Sequence, residues 1–211
     1  MTFDILQPTE KSLFHYGRRY QILIDPLLKE ERNNIIDMVP EGSIVLDAGC
    51  GTGKLCFLLK QRKNCKVVGI DSSLKMIVFA QRKNPYDDVV FLHRNVGNIS
   101  DYKDNYFDFT VMCMVIHELP LDKQVEAMYE LMRLGRKNII VDNNFPLPKN
   151  IRGLIGRMIE ATYGRDHKDN FKSFLAAGGI VGILEKIGFQ SKITYRLVFN
   201  DDCRLLIELV S

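Results

Sequence analysis

The chain has 211 residues, a length that suits one domain with a full hydrophobic core. Hydrophobic residues make up 46% of the sequence and charged residues 26%, so the composition excludes a largely disordered chain. The formal net charge of +3 is too small to indicate nucleic acid as an obligatory partner.

The sequence contains no signal for a membrane or for a metal. No apolar run approaches the roughly 20 residues that span a bilayer, and the N-terminus, MTFDILQPTEKS, lacks the basic start and apolar stretch of a signal peptide. The five cysteines are an odd number without a CxxC pair, which indicates neither a disulfide framework nor a zinc cluster. We therefore expect a cytoplasmic protein with no membrane partner and no metal.

The predicted elements alternate between amphipathic helices and short apolar strands. Helices, identified by apolar residues at helical spacing, are predicted at 9–39, 54–62, 74–80, 121–132, 151–161 and 171–187. Strands, identified as short and nearly continuous apolar runs, are predicted at 43–49, 65–71, 89–94, 107–116 and 138–142. Continuous apolar strands separated by helices indicate a parallel sheet that is covered on both faces.

The last 23 residues follow a different pattern. Two further apolar stretches, 189–199 and 203–210, are joined by Asn200, Asp201 and Asp202, which is typical of a hairpin. The predicted fold class is therefore α/β: a Rossmann-like doubly wound sheet of about seven strands, mostly parallel with an antiparallel C-terminal hairpin strand and helices on both faces.

Residues 45–53, VLDAGCGTG, place three glycines between a predicted strand and a predicted helix. Glycines at such a corner remove side chains where a ligand must approach the backbone. The following helix presents unpaired N–H groups and the positive end of its dipole, and a doubly wound sheet opens its crevice at this edge. The pattern predicts a binding site for a nucleotide-like ligand.

Two common nucleotide motifs do not fit this corner. The dinucleotide fingerprint requires glycine or alanine at the sixth position from Gly49, which is Lys54. A Walker phosphate loop requires glycine where Ala48 stands and Ser or Thr where Leu55 stands.

Two acidic residues indicate which chemical groups the ligand carries. Asp47 lies inside the corner, where it would repel a pyrophosphate, so it indicates a ligand end with a positive charge. Asp71 ends the next predicted strand, where an acid accepts two hydrogen bonds from a ribose diol.

At these residues the chain resembles the class I S-adenosylmethionine-dependent methyltransferases of the small-molecule type. VLDAGCGTG (45–53) is similar to the first motif of that family, and IDSSLKMIVFAQRK (70–83) to its second-strand segment. LEKIGF (184–189), before the final strands, also fits. The resemblance covers about residues 40–210 and implies a methyltransferase with S-adenosylmethionine as its cofactor.

The resemblance also implies a role for each matching position. The glycine backbone would face the methionine part, Asp47 would hold its ammonium group, Asp71 would accept both ribose hydroxyls, and Cys113 would border the methionine moiety. Asn95 stands where the family usually has an aspartate; its carbonyl would accept the adenine amino group beside the N–H of Val96. The expected cofactor-binding residues are Asp47, Ala48, Gly49, Cys50, Gly51, Gly53, Asp71, Ser72, Met76, Asn95, Val96 and Cys113.

VIHEL (115–119) follows the fourth predicted strand and is expected at the mouth of the crevice. Methyl transfer from a sulfonium mainly requires alignment, but a hydroxyl, thiol or ammonium acceptor must also lose a proton. Histidine accepts protons at near-neutral pH, so His117 is the predicted catalytic base, with Glu118 to orient it. The alternative is a loop histidine that is satisfied by backbone or water.

The predicted acceptor contacts lie in two segments. Tyr16 and Tyr20, four residues apart, share one face of the first helix; the resemblance makes this helix a lid, and the alternative is that both are core anchors. In the segment 143–170, Arg165 and His167 follow a glycine and are expected to project into the crevice. The excess of bases there favours an anionic acceptor, unless it is only a solvated helix face.

The resulting prediction is a single methyltransferase domain that spans residues 1–211. Its parts are an N-terminal helical lid (1–40), a cofactor-binding core (41–142), an acceptor-side helical insertion (143–187) and a C-terminal hairpin (188–211). The weak charge favours a small-molecule acceptor over nucleic acid. The alternatives are a protein or RNA acceptor, or a cofactor-binding protein without turnover; the oligomeric state stays open.

Overall fold

A computed structural model describes residues 25–97, 99–148, 165–200 and 202–211 of the chain. The strands are β1 (Ile44–Ala48), β2 (Lys66–Asp71), β3 (Val89–His93), β4 (Phe107–Cys113), β5 (Gly135–Asn143), β6 (Ile193–Val198) and β7 (Arg204–Val210). The α-helices are α1 (Lys29–Met38), α2 (Lys54–Lys63), α3 (Leu74–Lys83), α4 (Leu121–Leu134), α5 (Arg165–Ala176) and α6 (Gly179–Lys186). Short 3-10 turns cover Asp25–Leu28, Ile116–Glu118 and Gln190–Lys192.

The seven strands form one sheet in the order β3-β2-β1-β4-β5-β7-β6. Strands β1 to β5 pair in parallel, whereas β7 runs antiparallel to both β5 and β6. The predicted doubly wound sheet with an antiparallel C-terminal hairpin is confirmed. The strand order reverses between β1 and β4, so the crevice of the fold opens at the carboxyl ends of these two strands.

The hydrophobic core consists of two clusters, one on each face of the sheet. Helices α1, α2 and α3 pack on one face, and α4, α5 and α6 pack on the other. Neighbouring residues of one strand belong to different clusters, as Val45 and Leu46 do in β1, because successive side chains of a strand point to opposite faces. Both faces of the central strands are therefore buried from solvent, which explains their continuous apolar sequences.

Two predicted elements are shorter than expected. The helix predicted at 171–187 is two helices, because Gly178 and Gly179 adopt φ values of +90° and +65°, a left-handed conformation that ends a helix. The strand predicted at 107–116 ends at Cys113, because Met114 takes a φ of +60° and turns the chain out of the sheet.

Several predicted features fall partly or wholly outside the described residues: the helix at 151–161, the first part of the helix at 9–39, and Asp201 in the hairpin turn. The helices in the described part of the chain are too short or too polar to cross a membrane.

Candidate functional site

The glycine corner fills the gap between β1 and α2. Gly49, Gly51 and Gly53 have φ values of +82°, +51° and +76°, a region that glycine enters without steric cost. The N–H groups of Gly49 and Cys50 both donate to the carbonyl of Ile70, at 2.8 and 2.9 Å. These hydrogen bonds attach the glycine corner to the end of β2 and restrict its backbone conformation.

The three glycines differ in their surroundings. A Cβ atom on Gly49 would clash with the side chain of Val115, and one on Gly53 would lie 2.6 Å from the ring of Phe91. At Gly51 no described atom other than those of its chain neighbours comes within 4 Å of that position. Gly49 and Gly53 thus serve close packing, whereas the backbone of Gly51 borders open space.

Asp71 ties the corner to the next strand and helix. Its Oδ2 accepts a hydrogen bond from the N–H of Gly51 at 2.9 Å, and its Oδ1 accepts one from Ser73 at 2.7 Å. Ser73 in turn caps α3 by accepting a hydrogen bond from the N–H of Met76. A carboxylate has acceptor capacity beyond two bonds, so this fixed group suits a diol that enters the open space.

Asp47 is a buried carboxyl at the end of β1, with only 2% of its surface exposed. The thiol of Cys56 donates to its Oδ2 at 3.2 Å. Burial raises the pKa of Asp47 to about 6, although the Cys56 hydrogen bond and the positive charge of Arg32 lower it. Such a carboxyl gains most from a cation that comes close, because an opposite charge offsets the cost of desolvation.

The other expected cofactor residues line the same edge of the sheet. Cys113 ends β4, and burial raises the pKa of its thiol well above the usual range, so it stays neutral. The N–H of Arg94 donates to the carbonyl of Asp71 at 3.1 Å, which brings the chain beyond β3 to the same corner. Of the two residues that follow, Asn95 is exposed and Val96 is buried.

The sequence did not reveal a buried charged cluster beneath this corner. Arg32 contacts both the carbonyl and the carboxylate of Asp25 at 2.6 Å, and the hydroxyl of Thr52 donates to the same carboxylate at 3.1 Å. Arg204 of β7 forms an ion pair with Glu31 on α1. The bonds of Arg32 and Thr52 to Asp25 join α1 to the glycine corner, and the Arg204–Glu31 ion pair joins α1 to β7.

His117 lies next to the corner and pairs with Asp142. Its Nδ1 is 2.6 Å from Oδ1 of Asp142, and its backbone N–H donates to Oδ2 at 3.2 Å. The ring of His117 is 3% exposed and pairs with Asp142, whereas the side chain of Glu118, which was predicted to orient it, is exposed. The parallel pairing of β4 with β5 places Asp142 beside the turn that follows Cys113.

Helix α5 completes the surroundings of His117. The rings of His117 and His167 meet edge to face with centroids 5.6 Å apart, and Phe171 lies at 5.8 Å in the same manner. His167 is therefore close to His117, as expected for one site. Arg165 begins α5, but its side chain, like Tyr16 and Tyr20, lies outside the described residues.

The strand order and the glycine corner beside Asp71 define a class I methyltransferase fold with its cofactor edge. Residues 45–138 match the family model of a methyltransferase domain. This match, together with the sheet topology, confirms the predicted resemblance to the class I S-adenosylmethionine-dependent methyltransferases and S-adenosylmethionine as the predicted cofactor.

Similar proteins are known from several organisms. The chain is 26% identical over 129 residues to the bifunctional methionine biosynthesis protein MetXA/MetW of Rhodopirellula baltica, which covers 57% of this chain and 20% of that protein. It is 23% identical over 174 residues to the demethylmenaquinone methyltransferase of Bacillus licheniformis, covering 78% of this chain and 75% of that one. The chain thus spans only a fifth of the first relative.

A solved structure agrees with this fold. Magnesium protoporphyrin IX methyltransferase (ChlM) of Synechocystis PCC 6803, with bound SAH, superposes with a TM-score of 0.63 at 20% identity. The match covers 93% of this chain and 92% of that chain. At this identity the likeness establishes the fold.

Proposed function

We propose that this protein transfers the methyl group of S-adenosylmethionine to a small-molecule acceptor. The observation that carries the proposal is the open space at Gly51, with the carboxyl groups of Asp47 and Asp71 at the ends of the flanking strands β1 and β2. Asp47 inside the corner would repel a pyrophosphate but suits an ammonium group, and Asp71 suits a ribose diol.

In this proposal each part of the cofactor has its own contacts. Asp71 holds the ribose hydroxyls, the glycine corner and Cys113 border the methionine part, and Asp47 faces the ammonium group. Asn95 and the N–H of Val96 bind adenine, beside Ser72 and Met76. When bound, the cofactor supplies an electrophilic methyl group; the protein aligns the acceptor and excludes water.

Two observations support a small acceptor. The net charge of +3 supplies little of the attraction that nucleic acid requires. The demethylmenaquinone and magnesium protoporphyrin IX methyltransferases, both similar to this chain, are named for small-molecule acceptors. His117 is the proposed base where the acceptor must lose a proton.

The test is incubation of the purified protein with methyl-labelled S-adenosylmethionine and separated low-mass, RNA and protein fractions of a cell extract. We expect label in the low-mass fraction, and none with a Gly51→Val variant. Label in RNA or protein would contradict the small-molecule assignment. Binding of the cofactor without label in any fraction would indicate a protein without turnover.

Replacing Asp71 by alanine is expected to weaken cofactor binding by about 1–3 kcal/mol, because two charge-assisted hydrogen bonds to the ribose are lost. Asp71→Asn keeps one carbonyl acceptor and should lose less. Isothermal titration calorimetry with S-adenosylhomocysteine measures both. Asp37→Ala, an exposed acid on α1, is the control for charge; equal affinity of Asp71→Ala and wild type would refute the ribose contact.

Replacing Asp47 by asparagine is expected to stabilise the ligand-free protein while weakening cofactor binding. The pKa of Asp47 is raised from 3.8 to about 6, so its ionisation destabilises the folded state above pH 6, by about 3 kcal/mol for a shift of about two units. Asparagine avoids this cost.

Urea unfolding of both proteins at several pH values checks the Asp47 prediction. The advantage of Asp47→Asn should be largest near pH 8, should shrink as pH falls through 6, and should vanish below about pH 4, where Asp47 is protonated in both states. A stability difference that does not change with pH would contradict the burial argument.

A further inference from the structure

The loop between β3 and β4 begins at the cofactor edge of the sheet and then lies against helix α4. It carries Asn95 and Val96, the residues proposed to bind adenine. Val96 and Ile99 are both buried, and they belong to the same core cluster as the inner face of α4. A Cβ atom on Gly97 would lie 3.1 Å from Oε2 of Glu126 in α4. The adenine side of the proposed site is therefore supported by this helix.

Glu130 and Arg133 of α4 bind both polar backbone groups of Ile99. Oε1 of Glu130 accepts a hydrogen bond from the N–H of Ile99 at 3.0 Å, and Nη2 of Arg133 donates to its carbonyl at 3.2 Å. Glu126, Glu130 and Arg133 follow one another at intervals of four and three residues, so they share one face of the helix. This face fixes the loop backbone three residues beyond Val96.

The two side chains also hold each other in place. Nε and Nη2 of Arg133 donate to the two carboxylate oxygens of Glu130 at 2.9 and 2.7 Å, a bidentate geometry that lysine cannot reproduce. The third nitrogen, Nη1, donates to the carbonyl of Tyr102 at 3.0 Å and to the carboxylate of Asp104 at 2.9 Å. The hydrogen bond with Arg133 is the main cause of a lowered pKa of Glu130, so this carboxylate is charged at neutral pH.

We propose that the Glu130–Arg133 pair positions the adenine-binding residues and thereby sets the preference of the site for adenine. The inference rests on the proposed function, in which the carbonyl of Asn95 accepts the adenine amino group beside the N–H of Val96. Both contacts depend on where the loop backbone lies, and the pair fixes that backbone through groups of the protein alone. Glu130 and Arg133 act through the loop and are therefore positioning residues.

The first test compares two ligands that differ only in the base. S-inosylhomocysteine carries hypoxanthine where S-adenosylhomocysteine carries adenine, so a carbonyl replaces the amino group and the neighbouring ring nitrogen becomes a donor. Both changes oppose the proposed contacts of Asn95 and Val96. Calorimetry of the wild type should show binding of S-inosylhomocysteine that is about 10- to 100-fold weaker.

Variants of the pair should reduce this preference. Arg133→Lys keeps the positive charge but loses the bidentate geometry, and Glu130→Ala removes the acceptor for the N–H of Ile99. Each should weaken binding of S-adenosylhomocysteine by about 10-fold and binding of S-inosylhomocysteine far less. Glu130→Gln keeps an acceptor for Ile99 and should retain more of the preference than Glu130→Ala.

Two control variants show what a change outside the pair does. Lys123 forms an ion pair of the same i,i+3 spacing with Glu126 on α4, and its hydrogen bonds within the described part of the chain go to that residue alone. Lys123→Gln should therefore keep the wild-type preference. Asp71→Ala, which removes the proposed ribose contact, should weaken both ligands by the same factor and leave their ratio unchanged.

The outcomes separate this inference from the proposed function. A general loss of stability weakens both ligands alike, so an unchanged preference in Arg133→Lys and Glu130→Ala overturns the inference. Amide hydrogen exchange of the ligand-free wild type is decisive where these variants do not fold: the N–H of Ile99 should be protected, and exchange at the rate of an exposed amide overturns the inference.

Equal affinity of the wild type for the two ligands also overturns the inference, while the ribose and methionine contacts of the proposed function stand. A wild-type protein that binds neither ligand contradicts the proposed function itself.

Discussion

Replacement of Gly51 by valine is expected to abolish binding of S-adenosylmethionine. Apart from its chain neighbours, no described atom lies within 4 Å of the position that a Cβ atom would take at Gly51. The new side chain would therefore occupy the space proposed for the cofactor. The N–H of Gly51 also donates to Asp71, and a shifted backbone would disturb the ribose contact as well.

A matched control separates this effect from backbone strain. Gly42, in the turn between α1 and β1, also has a left-handed φ, +75°, and nothing within 4 Å of its Cβ position. Valine at either position adds a similar strain of about 1–3 kcal/mol, but only Gly51 borders the proposed site. Calorimetry should detect binding by Gly42→Val and none by Gly51→Val; wild-type affinity of Gly51→Val would overturn the site.

Replacement of His117 by alanine is expected to lower the turnover number by about 10²–10⁴-fold while the cofactor dissociation constant stays nearly unchanged. A positioned base is worth this factor when the acceptor loses a proton during transfer. Partial rescue at higher pH should follow, because the acceptor then ionises without help. An acceptor that already presents a lone pair, such as a thiolate or a neutral amine, would be little affected.

The control for His117→Ala is a variant that disturbs the same loop without removing a base. Gln124 is buried and donates to the carbonyl of Leu119 at 2.8 Å, so Gln124→Ala loosens the segment around residues 116–119. Steady-state kinetics and thermal unfolding of both variants should separate chemistry from loop stability. Unchanged turnover of His117→Ala with an acceptor that must be deprotonated would remove His117 from the mechanism.

The strands of the sheet could be predicted because buried strands consist mostly of apolar residues. The central strands β1, β4 and β5 are buried on both faces over most of their length, and a strand buried on both faces has a continuous apolar sequence. The glycine corner was also predictable, because Gly49, Gly51 and Gly53 require left-handed backbone conformations. Asp47 and Asp71 could be predicted as ligand contacts, because each lies at the carboxyl end of a predicted strand.

The partners of the buried polar residues could not be predicted, because they come from distant parts of the chain. Asp142 lies 25 residues after His117, and the partner suggested by sequence was the neighbour Glu118, which the turn leaves exposed. Arg32 and Asp25 are charged residues that normally lie at the surface, yet together with Thr52 they form a buried cluster. Their burial is compensated only by contacts that the fold creates.

Titration of the wild-type protein with S-adenosylmethionine, S-adenosylhomocysteine and NAD in a calorimeter tests the central claim most directly. Asp47 and Asp71 at the open corner predict binding of both sulfur ligands and no appreciable binding of NAD, whose pyrophosphate the carboxylate in the corner repels. Binding of NAD, or the absence of heat with both S-adenosylmethionine and S-adenosylhomocysteine, would contradict the account.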